Sequence, residues 1–544
     1  MTALGLFAGL QPAQAGSILQ TVSRVADLNP GPDGSYPTNL YVADGLLFLS
    51  AYTQATGWEL WKYDGTNLSL VKDINDTVTD LGGGLIEGNS SYPSNFREYD
   101  QKLYFSAYDP RRGGELWETD GTTTTRAADI NPDANDTVKS NPNSSWPSGL
   151  TVMQNMLYFS ANGGPSLNYE LWRFDGSQAS LFANIHPDGG TDGSSYPQGL
   201  TVFNNQLYFM ADDGAHGYEL WTADPTAARL LADINPGDSS SSSYPKHFTA
   251  LNNTLYFQAY DSAHGFELWK TDGTNVSLAA DINPGSGSSN PDELTPFQGA
   301  LYFKATDGPD GYQLWKFDGT NATVAARINQ NGSSSPKDLT VFNNRLYFAA
   351  DDGVHGWELW SFDGQVASLV ADLNPNGDSF PEDLTVFNGA LYFVATTPAT
   401  GYELWQYDGR SVTLAADINP GPASSFPRSL TVYNGQLCFS AAGDGLNDFE
   451  LWSLKQEQAP LNITITGLDM LGSGASASFR VSWDTVGGTT NFVEVSTNSP
   501  AGPYSDLSAP IVIPGTQPAA TNYTDSTAPS GNAKWYRIRV AGAQ

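Results

Sequence analysis

The 544-residue sequence is short of cysteine, of basic side chains and of long apolar runs, and each shortage removes a class of explanation. A single thiol, Cys438, rules out an internal disulfide and a cysteine-built zinc site. Lys and Arg number 25 against 58 Asp and Glu, a formal net charge of −33. Charge of that sign repels phosphate backbones and anionic lipid, so no nucleic-acid partner is expected. No stretch approaches the roughly 18 apolar residues of a spanning helix, so no membrane insertion is expected either. Charged residues are 15% of the chain, below the roughly 25% of ordinary globular chains, and Gly, Ser, Thr and Asn take their place. The polarity is not that of a disordered chain, because 40% hydrophobic and 12% aromatic residues suffice for a packed core. Length suggests two to four domains, or a repeat array with an appendage.

An apolar run from Ala3 to Leu10 precedes Ala13-Gln14-Ala15 and Gly16, a small-x-small triplet like that cut by signal peptidase. Residues 1–16 read as an export signal without its basic start, or as a plain apolar tail. Export would make this a secreted or cell-surface protein.

Glu-Leu-Trp or a close variant recurs nine times, with its Trp at 61, 117, 172, 221, 269, 315, 360, 405 and 452. Around each copy lie four short segments rich in β-branched and aromatic residues. In one unit these are Leu-Thr-Val-Phe (200–203), Leu-Tyr-Phe-Met-Ala (207–211), Tyr-Glu-Leu-Trp (218–221) and Leu-Leu-Ala-Asp-Ile (230–234). Asn-Asn, Asn-Gly, Asp-Gly and Asn-Pro-Gly turn signals punctuate them, with no helical periodicity between. Four strands at this pitch predict propeller blades. The phase of the repeat carries further information. The chain opens on a lone fourth strand (Thr21–Pro30) and its last unit, Leu430–Trp452, lacks one. A ring closes by joining the two, whereas an open solenoid would want caps. The expected fold class is all-β: a nine-bladed β-propeller with four strands per blade, the last blade closed by the N-terminal strand, plus a C-terminal β-sandwich. A split into two rings is the alternative.

At Glu-Leu-Trp-x-x-Asp-Gly-Thr (59–66, 267–274, and 313–320 with Gln313 for Glu) the chain resembles the bacterial ELWxxDGT repeat family. The resemblance implies a secreted or surface repeat protein without a defined common activity. Asp224-Pro225 and the last unit, Trp452-Ser-Leu-Lys, depart from the motif. The propeller is expected over 17–455 and a second domain over 456–544. There, Phe479–Trp483, Phe492–Ser496 and Trp535–Val540 alternate with period two. That domain looks like a fibronectin type III-like sandwich, with Trp483 and Tyr536 as core anchors.

Short turns on one side of the blades and long connections on the other predict one bare face and one loop face. On the loop face an aromatic residue precedes Pro at Tyr36, Tyr92, Trp146, Tyr196, Tyr244, Phe380 and Phe426. Such rings can stack on sugars or wedge between blades. Asp-x-Asn recurs at Asp27/Asn29, Asp233/Asn235, Asp281/Asn283, Asp372/Asn374 and Asp417/Asn419, oxygen donors that suit calcium or that cap turns. His216, His264 and His355 share one repeat position and are candidate ligand contacts or plain repeat residues. The repeated Glu reads as an acceptor for backbone N–H groups that locks blades together, rather than as half of a catalytic carboxylate pair.

Everything distinctive recurs at blade pitch, whereas catalysis needs its groups assembled once. The first reading is therefore a non-catalytic recognition or assembly protein, multivalent toward a glycan or a surface protein. One alternative is a polysaccharide hydrolase or lyase at the propeller mouth, for which Arg111, Arg112, Lys246 and His247 are the irregular basic residues. Another is a self-assembling subunit of an extracellular filament or matrix.

Overall fold

The computed structural model describes residues 18–458 except 32, 83–84, 133–136, 139–141, 165–166, 188–192 and 444–446, and beyond 458 the strands between 465 and 541. The export-signal reading of residues 1–16 lies outside the described residues. The chain divides into two units, Val22–Leu454, and Lys455–Gln544 with Met1–Thr21.

In the larger unit Thr38–Ala43, Leu46–Thr53, Gly57–Tyr63 and Leu68–Lys72 pair in that order as one antiparallel sheet, and seven further sheets repeat the arrangement. The ninth sheet is discontinuous in sequence: Arg428–Tyr433, Gln436–Ala442 and Phe449–Gln458 are completed by Ile18–Arg24. No helix occurs among the described residues. Blades are numbered one to nine from Thr38, and their strands A to D. Each A strand lies beside the A strands of both neighbours, and blade nine returns to blade one. The inner wall is therefore one unbroken circle of nine strands, not two rings. Backbone bonds seal the seam: the N–H groups of Val25, Gly34 and Tyr36 donate to the carbonyls of Leu451, Asn447 and Phe449.

Local sequence explains the blade. A–B turns place two successive residues at positive φ, as at Asn204 (48°) and Asn205 (60°) or Asn388 (45°) and Gly389 (77°), the geometry that matches the twist of paired strands. In the C–D turns an Asp side chain accepts two backbone N–H groups, as Asp64 does from Thr66 and Asn67. Asp224 makes the same pair of bonds to Thr226 and Ala227, so the turn survives Pro225 in place of Gly. Each A strand carries a bulge near its start, between Thr38 and Tyr41 in blade one, with its second residue at positive φ.

Period-two alternation in strand C sends Leu and Trp into different interblade layers. Leu60 and Ile74 of blade one pack with Phe105, Ala107 and Trp117 of blade two, while Leu116 packs with Phe159 and Trp172 of blade three. The seam is built the same way: Leu451 and Cys438 of blade nine are buried with Leu47, Leu49 and Tyr63 of blade one. The long connection between blades one and two forms its own ladder, Val78–Gly82 with Leu85–Gly88.

In the second unit Ser478–Val486 pairs with Ile465–Leu471 on one side and Pro518–Asp525 on the other. Thr490–Ser496 pairs with Ser505–Asp506, Ile511–Val512 and Trp535–Ala541. Trp483 is fully buried. Tyr536 lies outside the residues whose side chains are described.

Leu451→Ala opens a cavity at the seam between first and last blades and should cost about 2–5 kcal/mol. Chemical denaturation with the intact chain as reference measures it, and a loss below 1 kcal/mol would show that the seam bears no load.

Candidate functional site

The loop face is organised by the repeated Glu of strand C. Glu59 is completely buried, and its carboxylate accepts four bonds from the connection into blade two. Ile74 N–H (3.0 Å) and the Ser91 hydroxyl (2.5 Å) reach Oε2, while the N–H groups of Asn75 (3.2 Å) and Ser91 (3.1 Å) reach Oε1. Ser91 belongs equally to blade two, where its carbonyl accepts the Tyr108 N–H. The Ser-to-Glu bond recurs at Ser145–Glu115, Ser195–Glu170, Ser243–Glu219, Ser289–Glu267, Ser379–Glu358 and Ser425–Glu403, at 2.6–2.7 Å. Across the seam, Glu450 of blade nine takes the Ser35 hydroxyl (2.5 Å), the Ser35 N–H and the Leu28 N–H. Burial pushes the Glu59 and Glu115 carboxyls up to about 8, and Glu219 and Glu403 up to about 7, against the downward pull of these donors.

Blade six replaces the carboxylate with Gln313. Its oxygen accepts from Ser334 (2.9 Å), and its amide donates to the carbonyls of Asn329 and Gly332, which the connection turns inward, and to that of Asp310 in the loop before strand C. Two other positions change with it. Three residues before the Glu stand Arg112, His216, His264 and His355, while strand D is followed directly by Asp129, Asp233, Asp281 and Asp372. Arg112 pairs with Asp129 at 3.2 Å, and the other aspartates pull the histidines toward their charged form. In blade six the signs reverse, with Asp310 paired to Arg327. Each histidine also bonds through Nδ1 to the Asp three residues earlier, His216 to Asp213 at 2.7 Å and His355 to Asp352 at 2.7 Å, and this bond is the main cause of its raised pKa.

The Asn of each Asp-x-Asn spends its amide on the same connection. Asn29, Asn235, Asn283, Asn374 and Asn419 donate to the carbonyls of Asp33, Ser242, Ser288, Asp378 and Ser424. The oxygens of Asn29 and Asn235 accept the N–H groups of Gln54 and Ser262 in the next blade. Asp27 comes within 4.8 Å of Asp448 and Glu450, with Arg24 bonded to Asp448 at 2.9 Å. Asp233, Asp372 and Asn374 each keep a buried oxygen without a hydrogen-bond partner among the described residues.

All nine residues that precede the inner-strand Pro adopt positive φ, from 41° to 50°. Blades six and seven hold Asn290 and Ser335 in this conformation without a ring, so the backbone does not depend on aromatic wedges. Where rings are present, most stack on the preceding blade: Tyr36 on Phe449 (5.7 Å), Tyr196 on Tyr169 (5.3 Å), Tyr244 on Tyr218 (5.7 Å) and Phe426 on Tyr402 (5.3 Å). Trp146 stacks on Tyr108 (6.1 Å). The stacked rings keep an outer face in water, Tyr244 being 44% exposed, Tyr196 42% and Trp146 38%, and Tyr92 at the same repeat position is 59% exposed.

The irregular basic residues scatter. Arg111 binds Asp76 at 2.9 Å, Lys246 lies 6.0 Å from the Phe266 ring, and His247 faces Asp292 at 3.4 Å on the inner wall.

No family model and no curated protein matches the chain. Among solved structures it is similar to a puromycin hydrolase (15% identity, TM-score 0.35, 65% of this chain and 59% of that one). It is also similar to the GH74 xyloglucanase from Xanthomonas campestris (12%, 0.28, 82% and 74%). A third likeness is to an extracellular domain of a hybrid two-component system from B. thetaiotaomicron (11%, 0.30, 94% and 76%). Scores at this level bear on neither ring size nor activity.

The raised carboxyls set the pH response. Folded clasps retain protons that the unfolded chain, titrating near 4.5, has already released, so their contribution is full below that value and lost as pH rises through 7–8. The melting temperature should fall between pH 5 and pH 8.5, and a rise over that interval would contradict this. Glu59→Gln replaces one acceptor oxygen with an NH2 that opposes either the Ile74 N–H or the Asn75 and Ser91 N–H groups, and should cost about 1–3 kcal/mol, read by denaturant unfolding.

Proposed function

We propose that the chain is a non-catalytic recognition or surface-assembly protein that binds a repetitive ligand, most simply a glycan, through the aromatic rim of its loop face. The carrying observation is the set of half-exposed rings, Tyr92, Trp146, Tyr196 and Tyr244, on successive blades. A ring stacked on one face and wet on the other offers a sugar an apolar platform already ordered by its neighbour. Weak sites repeated at blade pitch act together on a polymer that presents the same unit many times. His216, His264 and His355, 36–40% exposed in their side chains, add hydrogen-bonding groups from the loops before strand C of blades four, five and seven. A secreted or cell-surface location suits such a role, as does the low-charge, cysteine-poor composition.

The second unit fits this reading as a fibronectin type III-like sandwich. Its first, second and sixth strands form one sheet and its third, fourth, fifth and seventh the other, an immunoglobulin-type partition. Calcium would enter through the Asp-x-Asn aspartates, and its contribution is read by repeating binding with a chelator.

Glycan-array binding of the full chain, with Tyr92→Ala, Tyr196→Ala and Tyr244→Ala combined, tests the proposal. Retention on a polysaccharide should drop at least tenfold in the triple variant with little change in melting temperature. Undiminished retention would remove the rim from the account, and turnover of any bound polysaccharide would favour the hydrolase or lyase reading.

A further inference from the structure

The inner wall is the most regular part of the sequence, and the places where it breaks its own rule converge on one cavity. The fourth residue of strand A is Thr in seven blades, from Thr151 to Thr431. Its hydroxyl ties one inner strand to the next, as Thr151, Thr249 and Thr340 do with the carbonyls of Leu200, Leu294 and Leu384. Blade two has Arg97 instead. Its Nε donates to the Leu150 carbonyl at 2.8 Å, the same tie that Thr makes. Nη1 and Nη2 therefore exceed what the wall needs, and they make no other hydrogen bond or ion pair among the described residues.

The second irregularity lies beside it. At the bulge, every other blade carries a side chain at positive φ: Asn39, Asn95, His247, Glu293, Asp338, Asp383 and Ser429, at 54° to 60°. Blades three and four carry Gly149 (67°) and Gly199 (69°). A Cβ there would approach nothing closer than 3.7 Å and 3.5 Å, so neither packing nor backbone demands glycine. What the two glycines do is leave space. A cavity of about 380 Å³ runs along the wall here, lined by Arg97, Gly149, Gly199, Leu200, His247 and Phe248. A second of about 510 Å³ continues from it and shares Arg97.

We propose that this cavity binds a small, hydroxylated monocarboxylate, such as a sugar acid, with the carboxylate on the spare Nη fork of Arg97. A guanidinium presents two parallel donors to a carboxylate. Leu200 and Phe248 supply an apolar floor, and Asn95, which also lines the cavity, brings an amide suited to the hydroxyls. Charge on the same wall limits the ligand to one negative group. Glu98 adjoins Arg97, and Asp292, Glu293, Asp338, Glu382 and Asp383 line blades six to eight, against Lys246, Lys337, Arg428 and the Lys304 bonded to Asp292. Burial holds His247 toward its neutral form, which leaves Arg97 the anchoring cation. The site is independent of the rim, since no rim aromatic lines it.

Calorimetric titration of the full chain with glucuronate, glucose and glucose 6-phosphate tests the assignment. Two variants restore the rule of the repeat and so preserve the wall: Arg97→Thr, and Gly149→Asn with Gly199→Asn, the residue blades one and two carry at that φ. Glucuronate should bind with a dissociation constant in the millimolar range or tighter, glucose and glucose 6-phosphate at least tenfold more weakly. Both variants should lose glucuronate at an unchanged melting temperature. Absence of glucuronate binding in the native chain, binding retained in either variant, or equal affinity for the phosphate would overturn the assignment.

Discussion

A carboxylate taken out of water must find donors for its oxygens, and in this chain the donors belong to the connection leading into the next blade. Glu59 holds the end of its own strand D through Ile74 and the beginning of blade two through Ser91. The bond thereby couples the completion of one sheet to the placement of the next. Repeated around the ring, it converts local four-stranded sheets into a closed body, and Glu450 with Ser35 applies it where the first and last blades meet. Because the acceptor is buried away from water, loss of one partner leaves the other unsatisfied in the seam, an asymmetry that makes the position hard to vary.

Blade six shows how it can vary. Gln313 brings two donors where Glu brings none, and the connection answers by turning carbonyls inward. The nearby pair reverses polarity in the same blade, Asp310 to Arg327 in place of His216 beside Asp233. Three substitutions thus preserve one electrostatic pattern. Conversely, the His residues of blades four, five and seven have partners inside their own loops, Asp213, Asp261 and Asp352, that hold each ring in place and favour its charged form.

Much of this was legible because the repeat is read nine times. The Asn-Asn and Asp-Gly signals mark the hairpins correctly, since positive φ and side-chain-capped turns are local requirements. The offset of the lone first strand against the incomplete last unit gives ring closure, because an unpaired strand edge is costly wherever it lies. The ladder Val78–Gly82 with Leu85–Gly88 was not visible within a connection read simply as long. Nor was the inner-wall cavity. Arg97 looks like any surface cation until the Thr of the other blades is aligned with it, and glycine at a bulge looks obligatory until Asn95 and His247 are seen in the same conformation. Single departures from a rule carry little signal in a sequence and become informative only when the fold superposes the copies.

The wall, the clasps and the rim divide the chemistry by depth: apolar layers between blades, buried carboxylates at the connections, half-wet rings outside. Whether the ring is sealed at its junction decides all three. Amide hydrogen exchange of the full chain reads this directly at Ser35, whose N–H reaches Glu450 at 3.0 Å across the junction. A closed ring predicts that Ser35 exchanges as slowly as Ser243 and Ser289, which make the same bond between consecutive blades. Exchange of Ser35 at the rate of an open loop, with Ser243 and Ser289 protected, would contradict it.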